Sequence, residues 1–140
     1  MPLPFPPASA PCPCGRAGAA NKPLALAACC ERYLGDFAGT PAPDAESLMR
    51  SRYSAFVLER ADYLLATWHA SRRPPSVEFD PGVKWLGLEV RQHSLLDATH
   101  AEVEFVARQK SPGSPALRLR ECSRFVREAG RWYYVDGDQL

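Results

Sequence analysis

The chain has 140 residues, 46% of them hydrophobic and 10% aromatic, enough for one domain with a substantial core and a small appendage. Its 17 Lys and Arg against 16 Asp and Glu leave a net charge of +1, which gives no support to a general electrostatic grip on nucleic acid or an anionic membrane. No apolar run reaches the roughly 18–20 residues that cross a bilayer, and the start, Met1-Pro2-Leu3-Pro4-Phe5-Pro6-Pro7, lacks the basic residue that opens a signal peptide.

Residues 1–10 read as an extended, mobile and disordered Pro-rich tail. Two tight cysteine clusters follow, Cys12-Pro13-Cys14-Gly15 and Cys29-Cys30. Without export these thiols lie in a reducing cytoplasm, where clustered cysteines bind metal more often than they pair. Adjacent Cys29 and Cys30 can link only through a strained disulfide, and Cys12 and Cys14 are nearly as constrained. The spacing predicts a tetrahedral four-cysteine site for Zn²⁺, with metal–sulfur distances of about 2.3 Å. A fully cysteinyl shell leaves no open position for water, so the metal is structural; a redox or iron–sulfur role is the alternative use of the same thiolates. The module spans residues 11–34. Gly35, Gly39, Pro41 and Pro43 mark a linker over 35–43, and a second domain runs from 44 to 140.

Asp44 is placed to cap a helix, with Glu46 in its first turn. Met49, Tyr53, Phe56 and Val57 recur at helical spacing and form its buried stripe, with Arg50, Arg52 and Glu59 mostly off it. Asp62 is read as the cap of a second helix with an apolar face of Leu64, Leu65 and Trp68, ended by Arg72-Arg73-Pro74-Pro75. The period then changes. Val83 to Leu95 is rich in Trp, Leu and Val. Over His100 to Arg108, Ala101, Val103, Phe105 and Ala107 face one way, and Glu102, Glu104 and Arg108 the other. Pro112 to Pro115 marks a turn, and Leu117 to Arg127 is a third strand with a bulge expected near Glu121. Gly130 closes a hairpin into a fourth strand, Trp132 to Val135. Helices first and antiparallel strands after predict an α+β fold.

The cysteine clusters resemble the SEC-C zinc motif. The stretches Glu46-Ser47-Leu48-Met49-Arg50-Ser51-Arg52-Tyr53-Ser54-Ala55-Phe56, Ala61 to His69, Trp85 to Glu89, Val103 to Arg108, Ser123-Arg124-Phe125 and Gly130 to Asp138 are similar to the bacterial YchJ-like family. The resemblance runs from Cys12 onward and implies a SEC-C-type module joined to a nuclear-transport-factor-2-like (cystatin-like) domain, in which a curved sheet wraps helices into a cone. It carries no reaction with it. The chain departs from the motif in having 14 residues between Cys14 and Cys29. Closing that loop instead of one of about eight residues costs roughly 0.5 kcal/mol, small beside the roughly 10–16 kcal/mol of structural zinc. Only Arg16 and Lys22 are basic in this loop, so little of the motif's basic surface is present.

The implied cone would be lined by a polar and aromatic set: Tyr53, Trp68, His69, Trp85, Glu121, Arg124, Tyr134 and Asp136. His69 with Glu121 or Asp136 would suit proton transfer if they converge, whereas packing and an Arg124–Glu121 ion pair are the simpler use of these groups. Lone Cys122 reads as a small hydrophobe, and His93 and His100 as surface histidines. Arg118, Arg120, Arg124, Arg127 and Arg131 are interleaved with Glu121 and Glu128, which favours a solvated face over a nucleic-acid surface. The resulting expectation is a cytoplasmic zinc-binding adaptor with no membrane segment. Its zinc module would meet a protein partner, and its cone would be scaffold or dimerisation surface. The alternative is a small-molecule site or enzyme, for proton transfer or hydration–dehydration, built on Tyr53, His69, Trp85, Glu121, Arg124 and Tyr134.

Overall fold

The computed structural model describes residues 4–140 and carries an α+β fold, with helices α1 (Glu31–Leu34), α2 (Ala45–Val57) and α3 (Ala61–Ala66) ahead of strands β1 (Lys84–Leu95), β2 (His100–Lys110), β3 (Leu117–Glu128) and β4 (Arg131–Gln139). The first three residues of the expected tail lie outside the described residues. Further along it, the carbonyls of Ala8 and Ala10 accept hydrogen bonds from the N–H groups of Ala27 and Leu26 at 3.1 and 2.8 Å.

The Asp44 carboxylate accepts from the Ser47 N–H at 2.7 Å and starts α2, with Glu46 placed against the positive end of the helix dipole. Leu48, Met49, Tyr53 and Ala55 are buried along it, and Phe56 and Val57 pack at the margin of the same core. Arg52, expected off the stripe, is buried as well. The helix ends where Glu59 takes φ +56° and the Arg60 N–H reaches back to the Ala55 carbonyl at 2.8 Å. This left-handed closing position usually holds glycine.

That turn already puts Arg60 at the N-cap of α3, so Asp62 lies inside the first turn and does not cap it. The helix also stops at Ala66, well before the expected Arg72–Pro75 boundary. The backbone is needed elsewhere: the Tyr134 N–H donates to the Thr67 carbonyl at 2.9 Å, and the His69 N–H to the Tyr134 carbonyl at 2.7 Å. Residues 67–69 thereby cover the free edge of β4.

The strands form one antiparallel meander in the order β1-β2-β3-β4. Ala101, Val103, Ala107 and Phe125 are buried on the face turned to α2. On the other face Val106 is buried beneath Arg91, Arg118 and Arg120. Extra residues enter the ladder at Leu86 and Arg91 in β1 and at Val135 in β4. β3 pairs regularly through Glu121, so the expected bulge lies in β4, opposite Arg124 and Phe125. These insertions bend the sheet around the helix. Gly87, beside the first, has φ +152°, and a Cβ there would stand 2.7 Å from Arg108 Nη2. The β3–β4 turn has φ +51° at Ala129 and +76° at Gly130, the signature of a two-residue type I′ hairpin. No helix among the described residues is long and apolar enough to cross a membrane.

Candidate functional site

Helix α2 divides two candidate sites, a cysteine lobe against its N-terminal half and a cavity between the helix and the sheet. In the lobe, the Gly15 N–H closes a turn onto the Cys12 carbonyl at 3.0 Å, with Pro13 setting the bend and Gly15 at φ +72°. The 14 residues between Cys14 and Cys29 fold back on themselves. The Cys12 N–H bonds the Leu24 carbonyl, and the Leu24 N–H bonds the Arg16 carbonyl, both at 2.9 Å, while the Leu26 side chain is fully buried.

This return path brings the four sulfurs of Cys12, Cys14, Cys29 and Cys30 within 4.8 Å of one another. Cys14 and Cys29 are 3.6 Å apart at sulfur, and Cys29 and Cys30 are 3.9 Å apart. A tetrahedral site with metal–sulfur bonds of about 2.3 Å has sulfur–sulfur edges of about 3.8 Å. The thiols are free, and each is at most 4% exposed. Cys12 is driven far below the usual thiol range by hydrogen bonds from Cys14, Cys29 and Cys30. At Cys14 the opposing effect of Cys12 is outweighed by Cys29 and Cys30, and the pKa falls to about 7. Cys29 and Cys30 are pushed up, chiefly by Cys12 and then Cys14. The meaning is simple: four buried thiols this close cannot all ionise against one another, and a central cation is what lets them. The donor set and its spacing therefore suit a metal ion.

The lobe is tied to α2 around this cluster. Arg50 Nη1 donates to the Cys14 carbonyl at 3.1 Å while its Nε pairs with Glu46 at 2.8 Å. Arg16 reaches Ser47 Oγ at 3.0 Å, and Cys12 Sγ lies 3.6 Å from Ser54 Oγ.

On the other side of α2 lies a cavity of about 220 Å³. Tyr53, Trp85, Glu121 and Tyr134, four of the six expected pocket residues, share its walls with Phe56, Phe105 and Phe125. Tyr53 meets Trp85 edge-on with ring centroids 5.7 Å apart, and Phe125 meets Tyr134 at 5.8 Å. Ser123 Oγ donates to Glu121 Oε2 at 2.6 Å. Arg52 also borders the cavity; its Nη1 donates to the Leu64 carbonyl at 2.8 Å and Thr67 Oγ1 at 2.7 Å. Helical spacing alone disguised it, since an arginine off the apolar stripe reads as solvated.

His69 and Arg124 lie in a separate cleft with Asp136 and Glu128. His69 Nε2 contacts Glu128 Oε2 at 2.6 Å, and Nδ1 contacts Ser71 Oγ at 2.6 Å, so His69 pairs with neither Glu121 nor Asp136. Arg124 pairs with Asp136 at 2.6 Å and Asp138 at 2.7 Å, not with Glu121. Positions 121 and 124 differ by an odd number, so a strand sends them to opposite faces. Cys122 is half-buried, its thiol pushed up by burial and then by Glu102. His93 lies 3.9 Å from Glu46, and His100 3.0 Å from Asp97. Of the arginine row, Arg120 pairs with Glu104 at 2.9 Å, and Arg131 donates to the Phe37 carbonyl at 2.6 Å.

Comparison with known proteins agrees with this architecture. Residues 44–137 match the family profile described as YchJ, middle NTF2-like domain. A UPF0225 protein of Polaromonas sp. is 86% identical over 127 residues, 91% of each chain. Another, of Polaromonas naphthalenivorans, is 63% identical over 136 residues, 93% of this chain and 98% of its own. Among solved structures, a SEC-C motif containing protein from Psychrobacter arcticus superposes with a TM-score of 0.76 at 32% identity, covering 92% of this chain and 82% of that one. A SEC-C motif containing protein from Rhodopseudomonas palustris gives 0.74 at 29% identity, over 89% and 99%. The chain belongs to the UPF0225 family, whose YchJ-type NTF2-like domain here follows an N-terminal cysteine cluster of the SEC-C kind.

Proposed function

We propose that Cys12, Cys14, Cys29 and Cys30 hold one structural Zn²⁺ and that the protein is a non-catalytic cytoplasmic binding module, its zinc lobe meeting a protein partner and its cone acting as scaffold. The observation that carries the reading is the sulfur geometry: separations of 3.6 and 3.9 Å bracket the edge of a zinc–thiolate tetrahedron. Four buried sulfurs close the coordination shell, which favours a structural ion over one that activates water.

Metal analysis of untagged protein purified without chelator tests the first half. About one zinc per chain is expected, lost in Cys29→Ser/Cys30→Ser; iron, or no metal, would count against it. For the adaptor role, a partner recovered in stoichiometric amount with wild type should be lost with that double variant. Equal recovery from both refutes it. The cone supports a second reading as a small-molecule site, because aromatic walls there surround a buried charge.

A further inference from the structure

Arg52 is only 6% exposed, yet no carboxylate pairs with it among the described residues. Arg16, Arg50, Arg72, Arg91, Arg120 and Arg124, all nearer the surface, each have one. Nη1 serves Leu64 and Thr67, whereas Nε and Nη2 make no hydrogen bond among the described residues. The guanidinium is flanked by the rings of Tyr134, 4.5 Å away, and Trp68, 5.0 Å away. Burial lowers its pKa to about 10, which leaves it charged at neutral pH. Trp68 Nε1, beside it in the cavity lining, is buried without an acceptor among the described residues. The cavity's own carboxylate, Glu121, takes a hydrogen bond from Ser123 and acts on Arg52 only through space, with no hydrogen bond or ion pair between the two. A buried cation with unused donors, set in a cavity wall, is a mismatch that an anion would relieve.

The rest of the cavity defines what carries that anion. Its walls are aromatic, which favours a flat ring. An apolar cavity of about 150 Å³ admits benzene, so 220 Å³ has room for a ring bearing one small substituent. A single guanidinium fork matches a planar, singly charged carboxylate, whereas a phosphate dianion would leave excess charge facing Glu121. We infer that the cone cavity binds small aromatic carboxylates, with Arg52 as the anchor of the carboxylate and the aromatic walls enclosing the ring. This rests on the cone being a small-molecule site.

The test uses the full-length, metal-loaded protein and follows intrinsic tryptophan fluorescence, to which Trp68 and Trp85 of the cavity contribute alongside Trp132, during titration with benzoate and with its uncharged isostere benzamide. Benzoate should bind saturably and about tenfold or more tighter than benzamide. Arg52→Lys, checked for folding by its thermal transition, should weaken benzoate about fivefold or more and benzamide by a smaller factor. Equal affinity for the two probes overturns the anchor and leaves the cavity reading standing. Absence of saturable binding by either at millimolar concentration overturns both. A folded Arg52→Lys protein that binds benzoate as tightly as wild type also overturns the inference. If that variant does not fold, the benzoate–benzamide comparison on wild type decides alone.

Discussion

On the proposed zinc assignment, stripping metal from the four thiolates should release the lobe while the sheet holds. Structural zinc contributes roughly 10–16 kcal/mol in small cysteine-rich sites, comparable to the roughly 5–15 kcal/mol that stabilises a whole domain. The anchors left to the lobe are much weaker. Burial of Leu26 and Tyr33 contributes about 2 kcal/mol each, and the Arg50 bond to the Cys14 carbonyl about 1 kcal/mol. Against them stands about 1–2 kcal/mol per residue to keep the backbone of 11–34 ordered. Hydrogen–deuterium exchange in excess chelator should therefore show protection across 11–34 falling roughly a thousandfold or more, a change of about 4 kcal/mol. The first two turns of α2, where Ser47 and Arg50 meet the lobe, should loosen in part, and β2 and β3 should stay protected. Added zinc should restore the pattern. Full protection of 11–34 after stringent chelation would refute the reasoning, because the lobe would then hold its shape without the ion.

Four substitutions probe the remainder. Glu59→Gly relieves the φ of +56° at the end of α2; the left-handed penalty of about 1–2 kcal/mol outweighs glycine's entropy cost of about 0.5–1 kcal/mol, so denaturant melts should show a small gain, and a loss would contradict the assignment. Ala129→Asn should likewise raise stability by a few tenths of a kcal/mol to about 1, since type I′ turns favour Asn at that position. Leu48→Ala, at a site 2% exposed, should cost about 2–5 kcal/mol in the same assay. Tyr63 is pushed up to about 12 by burial, against about 10 in the unfolded chain. Its folded pKa is raised, so its contribution is complete below pH 10 and lost as pH rises to about 12, at up to about 1.4 kcal/mol per pH unit. Tyr63→Phe should flatten alkaline destabilisation while forfeiting about 1 kcal/mol at neutral pH with the Ser51 bond. Identical slopes for variant and wild type would argue against the burial effect.

The cap at Asp44, the inward row Ala101, Val103 and Ala107, and the tight turn at Gly130 were legible because each depends on a few neighbouring residues. The early end of α3 was not. It is set by Tyr134, far along the chain, which takes Thr67 and His69 as strand partners. Arg124 and Glu121 look like an ion pair in sequence, but strand alternation parts them, and Asp136 and Asp138 are supplied across the β3–β4 ladder. The displaced bulge follows the same logic, since a register slip belongs to two strands and shows in neither alone.

By itself, the sequence determined the order of helices and strands and the thiol content of the N-terminal lobe, because periodicity, capping and ligand chemistry act over a few residues. Tertiary structure alone decided which polar groups meet. It drew Arg52 into the cavity wall, sent His69 to Glu128, and folded the long loop until four sulfurs converged. Those outcomes depend on how α2 seats on a bent sheet, and burial and charge pairing are set by neighbours that sequence distance does not record.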